Sequence, residues 1–154
     1  MSTPSPPSAE RQVEEDLVRL DAYRNQLSGL VQQRQLLIGS RQDHARARES
    51  LEGIDRADAA TEYLLPLGGE AYVRGRVERA SPVLIGVGSG VVVEMERPKV
   101  TELLAERLGR LDQAIRELEG QITALDERIQ IVSRRLENAS RRTEAGDDVG
   151  GSQG

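Results

Sequence analysis

The most constraining feature of the sequence is a run of apolar residues that recur in alternating steps of four and three over residues 104–139. The run consists of Leu104, Leu108, Leu111, Ile115, Leu118, Ile122, Leu125, Ile129, Val132, Leu136 and Ala139. It continues for five heptads without a break, and the intervening positions are mostly charged or polar. Residues with this spacing form one apolar stripe, here called the seam, along a helix about 54 Å long. The pattern therefore predicts a coiled coil rather than an ordinary surface helix.

A second helical pattern precedes this one and is predicted to span residues 10–56. Its apolar residues are Val13, Leu17, Leu20, Leu27, Leu30, Val31, Leu37, Ile38, Leu51 and Ile54. The stripe is broader and interrupted, because Arg24, Arg34 and Arg41 fall where strict heptads place apolar groups. Two patterns of similar length favour an antiparallel hairpin, in which Leu51 lies near Leu104 and Leu17 near Leu136. The two helix ends farthest from the connection would then meet at a free tip.

Between the two helical patterns the period changes from 3.6 to 2, so residues 62–96 are predicted to form four short strands. Gly68-Gly69 and Gly88-Ser89-Gly90 are the expected hairpin turns. In the last hairpin, one parity carries Val83, Ile85, Val87, Val91, Val93 and Met95, which would form one apolar face. The predicted fold class is α+β, with a long antiparallel helical coiled-coil hairpin (helices 10–56 and 99–141) and two central β-hairpins.

A sheet this small has too little core to stand alone, and its open edges are seldom left unpaired. We therefore expect the hairpins of several chains to join in an oligomeric platform from which the coiled coil projects. The residues expected to take part are Val73, Val77, Val83, Ile85, Val87, Val91 and Val93.

The sequence offers no candidate catalytic, cofactor-binding or metal-binding residues. It has no cysteine, and its one histidine, His44, has no second histidine or thiolate to complete a metal site. The GVGSG segment, residues 86–90, lacks the spacing of a dinucleotide or phosphate loop and is predicted to be a turn. The chain is therefore expected not to be an enzyme.

Composition limits the partners as well. The net charge of −5 gives no support to nucleic-acid binding. No apolar run is long enough to span a membrane, and the first residues lack the pattern of a signal peptide. Residues 1–9, rich in Pro and Ser, and residues 143–154 are expected to be disordered tails around a domain of residues 10–142.

Apolar residues near the predicted tip are the candidate binding surface. They are Val13, Leu17, Leu20, Ile129, Ile131, Val132 and Leu136. In the structural interpretation, these side chains simply close the end of the coiled coil. In the functional interpretation, the helix ends fray and offer them to an apolar partner, as exposed apolar patches often do.

With this combination of features, the sequence resembles the prefoldin family, and within it the archaeal alpha class. The resemblance covers about residues 13–139 and is carried by "LLPLGGEAYVRGRV", "VLIGVGSGVVVEM" and the heptads after Val100. Two hairpins between the helices indicate the alpha class, since the beta class has one. The Gly68-Gly69-Glu70 turn departs from the expected pattern, which should affect local turn geometry only.

The resemblance implies a cytoplasmic, ATP-independent holdase chaperone subunit without a cofactor. Two alpha and four beta subunits would form a hexamer whose hairpins build an oligomeric β-barrel platform. The coiled-coil tips would hold non-native proteins and pass them to a group II chaperonin. The alternative is a coiled-coil scaffold or adaptor subunit that has a fixed folded partner and no chaperone activity.

Overall fold

The computed structural model describes residues 8–78 and 81–148, with the backbone alone for residues 147–148. Its elements follow in the order α1 (Ala9–Arg56), β1 (Glu62–Gly68), β2 (Ala71–Arg76), β3 (Val83–Gly88), β4 (Val91–Met95) and α2 (Arg97–Asp148). The predicted α+β class is thereby confirmed: two long helices enclose two small antiparallel hairpins in the sequence. Neither helix, as far as the described residues extend, has an apolar stretch that could cross a membrane.

The second helix is longer than its apolar pattern predicted. It begins at Arg97, with Pro98 in its first turn, where the missing N–H would have no intrahelical partner in any case. It continues to Asp148, so residues 143–148 of the expected disordered tail are helical. Arg141, Arg142, Glu144 and Ala145 are good helix formers and favour continuation of the helix beyond the last seam residue, Ala139, whereas Thr143 and Gly146 are weaker helix formers. The expected disorder of residues 1–7 and 149–154 falls outside the described residues.

The chain divides into two compact units, and each contains a part of both helices. The terminal unit comprises Met1–Leu36 and Ile115–Gly154, and the hairpin unit comprises Leu37–Ala114. Throughout the described part of α2, every one of the predicted seam positions from Leu104 to Ala139 is buried or half-buried, which confirms the heptad pattern.

In the terminal unit, α1 and α2 run antiparallel, and their seam buries Leu20, Leu118, Leu125 and Val132. On the α1 side the less exposed residues recur in steps of three and four: Val13, Asp16, Leu20, Tyr23, Leu27, Leu30 and Arg34. Leu17 was expected on this seam but is exposed, because it lies one residue, or about 100° around the helix, away from the seam position that Asp16 occupies.

The core of the hairpin unit forms where the second hairpin (β3–β4) packs against both helices. Leu51 of α1, Ile85 of β3, and Val100 and Leu104 of α2 form its buried centre. Around them pack Val83, Val93, Met95 and Leu103. The predicted proximity of Leu51 and Leu104 is therefore confirmed. Four residues of the predicted apolar face of the second hairpin, Val83, Ile85, Val93 and Met95, also lie in this core.

The two hairpins are separate two-stranded antiparallel sheets, and the described strands form no closed barrel within this chain. Each has a register shift just before its turn. The two-residue turns are Gly69-Glu70 and Ser89-Gly90, and all four residues have positive φ, as the hairpin turn with both central residues left-handed requires. The first turn is thus displaced by one residue from the predicted Gly68-Gly69, and Glu70 adopts a conformation that glycine would accept more easily.

Arg97, at the start of α2, ties three segments of the hairpin unit together. Its guanidinium donates a hydrogen bond of 2.9 Å to Oδ1 of Asp55, at the end of α1. It donates a second, of 2.6 Å, to the backbone carbonyl of Glu78, just after β2. Because the Arg97 side chain is only 8% exposed, these bonds replace water that it gave up on folding.

Replacing this arginine should be costly. We expect Arg97→Ala to lower the free energy of unfolding by about 2 kcal/mol, since two hydrogen bonds from a charged donor are lost. The matched control is Arg110→Ala, which removes an exposed i,i+4 ion pair with Glu106 and should cost no more than about 0.5 kcal/mol. Urea unfolding followed by circular dichroism measures both, and equal losses would contradict the role given to Arg97.

Candidate functional site

The ends of α1 and α2 in the terminal unit enclose an open cleft of about 650 Å³. Its lining residues are Ala9, Glu10, Gln12, Val13, Asp16, Arg135, Leu136, Asn138, Ala139, Arg142 and Thr143. Val13, Leu136 and Ala139 are half-buried and provide an apolar wall that no other side chain of the seam fully covers. Two acidic and two basic side chains also line the cleft, so its charges nearly balance.

Asp16 and Arg135 stand where the cleft meets the closed part of the seam. Asp16 is 4% exposed, and its Oδ1 lies 3.1 Å from Nη2 of Arg135, which remains about half exposed. One turn further inward, Leu20 and Val132 are buried against the opposite helix. The helices therefore pack closely where the seam continues from the ion pair towards Leu20 and Val132, and they leave the cleft open between the ion pair and the helix ends.

The predicted tip residues fall into three groups. Val13 and Leu136 line the cleft, and Ile129 is half-buried without lining it. Leu20 and Val132 are buried in the seam, as the structural interpretation requires. Leu17 and Ile131 are exposed on the helix surfaces and do not line the cleft.

Several residues of the cleft region did not stand out in the sequence. Asp16 and Arg135 were not expected there, nor was Val18, which is exposed on α1 beside Leu17. A signal for Asp16 existed: it lies four residues before Leu20, and so continues the seam spacing of α1. Nothing local in the sequence pairs it with Arg135, which comes from the other end of the chain.

The hairpins carry most of the remaining exposed apolar surface. The exposed large apolar residues of the four strands are Leu64, Leu65, Leu67, Tyr72, Val73, Leu84, Val87, Val91 and Val92. Of the residues expected in the oligomeric platform, Val73, Val87 and Val91 are exposed and Val77 is half-buried. By contrast, Val83, Ile85 and Val93 pack in the core of their own chain. The available apolar surface is therefore the first hairpin and the outward face and turn end of the second.

A second, smaller cleft of about 390 Å³ lies in the hairpin unit, beside β3. On its rim, Nη2 of Arg107 donates a 2.6 Å hydrogen bond to the carbonyl of Gly86. Residues 86–90 thus form the end of β3 and a hairpin turn, which confirms the predicted turn. His44 also lines this cleft, and its Nδ1 lies 2.7 Å from the Ser40 carbonyl of its own helix, to which it can only donate.

The described residues contain no group of three acidic, histidine or cysteine side chains that could hold a metal ion. The ionisable residues instead form ion pairs such as Arg41–Asp112. The hydrogen bond to Asp112, aided by the charge of this carboxylate, raises the pKa of Arg41 above its ordinary value. This arginine therefore stays charged and acts as a structural cation.

Two long helices, with two small antiparallel β-hairpins between them in the sequence, define a coiled-coil protein with a central β insert. Comparison with known proteins identifies the family. The family model described as "Prefoldin subunit" matches residues 23–142. This chain belongs to the prefoldin family, which is a family of chaperone subunits rather than of enzymes.

Similar curated proteins are archaeal alpha subunits. The prefoldin subunit alpha of Methanoculleus marisnigri is 32% identical over 113 residues, which cover 73% of this chain and 74% of the relative. That of Methanocorpusculum labreanum is 30% identical over 70% of this chain and 85% of the relative. The resemblance to the archaeal alpha class is confirmed by these relatives.

Solved structures show the same fold at lower identity. A filamentous prefoldin from Methanocaldococcus jannaschii, determined by cryo-electron microscopy, is 21% identical with a TM-score of 0.64, covering 79% of this chain and 98% of the other. The crystal structure of the prefoldin beta subunit from Thermococcus strain KS-1 is 20% identical with a TM-score of 0.56, covering 90% and 96%.

Proposed function

We propose that this chain is the alpha subunit of a cytoplasmic, ATP-independent holdase that captures non-native proteins in the cleft at its helix ends. The holdase stabilises these clients against aggregation and passes them to a group II chaperonin. The observation that carries the proposal is the cleft itself: an apolar wall of Val13, Leu136 and Ala139 that the chain leaves uncovered at the end of an otherwise closed seam.

The chemistry of the cleft suits a client that is defined by exposed apolar side chains rather than by a sequence motif. Burial of apolar area contributes roughly 25 cal/mol per Å² and is not directional. The nearly balanced charges that line the cleft, from Glu10, Asp16, Arg135 and Arg142, exclude neither acidic nor basic flanking segments. Such a site would accept many unfolded chains and lose them once their apolar residues are buried by folding.

A single cleft of this kind would bind weakly, so the proposal includes assembly. The exposed apolar residues of the hairpins, such as Leu64, Tyr72 and Val92, support a platform shared with other subunits. We propose two alpha and four beta subunits, joined through an intermolecular β-barrel. Several clefts on one platform raise the effective concentration, so that overall affinity can exceed that of one cleft by about 10² or more.

The test places a charge in the apolar wall. In the complex isolated from its own cells, Leu136→Glu should weaken suppression of thermal aggregation of citrate synthase at least about tenfold, since a carboxylate in the wall must stay hydrated. The control Gln121→Glu adds the same charge at an exposed position of α2 outside the cleft. Light scattering reports aggregation, and native mass spectrometry verifies that the assembly is unchanged.

Two results would overturn the proposal. Full suppression by Leu136→Glu would show that clients bind elsewhere. Failure of the wild-type complex to suppress aggregation, together with one folded protein bound at a fixed ratio, would instead make the chain a scaffold or adaptor subunit.

A further inference from the structure

Among the described residues of the terminal unit, Asp16 is the one fully buried charged residue. The next four residues of α1 on this stripe, Leu20, Tyr23, Leu27 and Leu30, are apolar or aromatic, and the half-buried Arg34 follows them. The α2 seam that it faces is entirely apolar. A buried carboxylate at such a position gives up hydration that its partner replaces only in part. The matched range of the prefoldin family model begins at residue 23 and does not include Asp16.

The seam changes character at this residue. On the inner side, Leu20 and Val132 are buried as in any tight coiled coil. On the outer side, Val13, Leu136 and Ala139 have the correct type and spacing to continue the packing, yet they line the cleft, whereas the half-buried seam residues further inward, such as Leu27 and Ile129, do not. Side-chain type alone therefore does not explain why the seam stops.

The ion pair does explain it. Asp16 Oδ1 is held 3.1 Å from Nη2 of Arg135, whose side chain lies beside the seam and is about half exposed to solvent. If the helix ends closed on each other, Arg135 would lose the water that now reaches about half of its side chain, while its partner Asp16 is already buried. Helices with a charged group at this position are most stable with their ends apart.

We infer that the Asp16–Arg135 pair is a stop in the coiled coil, which ends seam packing before the helix ends and so keeps the cleft open for an apolar client segment. The inference rests on the proposed function and deepens it, because it names the residue that positions the binding wall. Asp16 acts through the separation of the helices and is a positioning residue.

The decisive variant is Asp16→Leu, which makes the outer seam continuously apolar. It should raise the melting temperature by about 2–4 °C, because the helix ends can now pack. It should also weaken capture of thermally unfolding citrate synthase at least tenfold. A merely structural ion pair would not move these two readouts in opposite directions.

Closure of the cleft can be measured without a client. The chain contains no cysteine, so Arg11→Cys and Ser140→Cys, at exposed positions beside the cleft, take spin labels at these two sites only. The label distance in the full complex should become shorter and more narrowly distributed in Asp16→Leu. The control Asp21→Leu makes the same replacement at an exposed site on α1 and should leave distance, melting temperature and capture as in the wild type.

Three outcomes would overturn the inference. An unchanged label distance, or a raised melting temperature with full capture, would mean that the ion pair only fixes the alignment of the two helices and has no role in binding. A lowered melting temperature would show that the pair stabilises the tip, and that any loss of capture is due to unfolding. If the wild type captures nothing but Asp16→Leu still closes the cleft, the stop is real and the proposed client function is the part that fails.

Discussion

A chain cut before Leu20 and after Ile129 should assemble normally and lose holdase activity. The cut removes every residue that lines the terminal cleft, from Ala9 to Asp16 on α1 and from Arg135 to Thr143 on α2. It leaves the whole hairpin unit, Leu37–Ala114, in which the second hairpin packs on the helices. Because the proposed capture depends on several clefts acting together, losing the alpha clefts should reduce aggregation suppression by about 10-fold or more.

The measurement pairs native mass spectrometry with light scattering of citrate synthase during heating. The control lacks only residues 1–7 and 149–154, which keeps every lining residue of the cleft. It should suppress aggregation as well as the full chain. Normal suppression by the shorter chain would refute the assignment of client binding to the helix ends.

The second large effect should come from Leu104→Ala in the hairpin unit. Leu104 is 4% exposed and contacts the buried cluster formed with Leu51, Ile85 and Val100. Removing a buried leucine side chain to Cβ leaves a cavity and costs about 2–5 kcal/mol, and we expect about 3 kcal/mol here. Because this cluster seats the second hairpin on the helices, assembly should weaken together with stability.

The matched control is Leu36→Ala, which makes the same replacement on α1 at a residue that is 76% exposed. Helix propensity changes equally in both variants, so the difference between them reports burial alone. The control should change the free energy of unfolding by less than about 0.5 kcal/mol. Urea unfolding measures both, and similar losses would mean that Leu104 is not a core residue.

The variants at Arg97 and Leu104 test the hairpin unit, and the cleft variants test the terminal unit. Changes at Arg97 or Leu104 should act on stability and assembly, since both residues hold the elements of the hairpin unit together. Changes at Leu136 or Asp16 should act on capture while the hairpin unit stays intact. These outcomes would show that the proposed client capture and the proposed assembly depend on different units of the chain.

The second helix and the hairpins were predictable because their patterns are local. The α2 seam repeats without interruption, so only one face of the helix can be buried, and the structure buries or half-buries every predicted position. The glycines at 68–69 and at 88 and 90 likewise place the turns, since the left-handed conformations there favour glycine. Even so, the first turn lies one residue later than expected, with Glu70 in a left-handed conformation.

The first helix was predicted less well, because its apolar residues cover a broad stripe. Leu17 and Asp16 are neighbours in the sequence, and composition favours burial of the leucine, yet the aspartate is the buried one. Val83, Ile85 and Val93 pack in the cluster of Leu51 and Leu104 of their own chain, and their expected part in an intermolecular platform stays a prediction. In both cases the outcome depends on which residues of a distant segment the side chain meets.

The sequence by itself thus determined the elements, the seam of α2 and the absence of any clear catalytic pattern, because periodicity and turn chemistry act between near neighbours. Only the tertiary structure decided which stripe of α1 faces that seam and where the packing ends. The physical reason is that a buried carboxylate is tolerated only beside its partner, and Arg135 reaches Asp16 only after the two helices have paired.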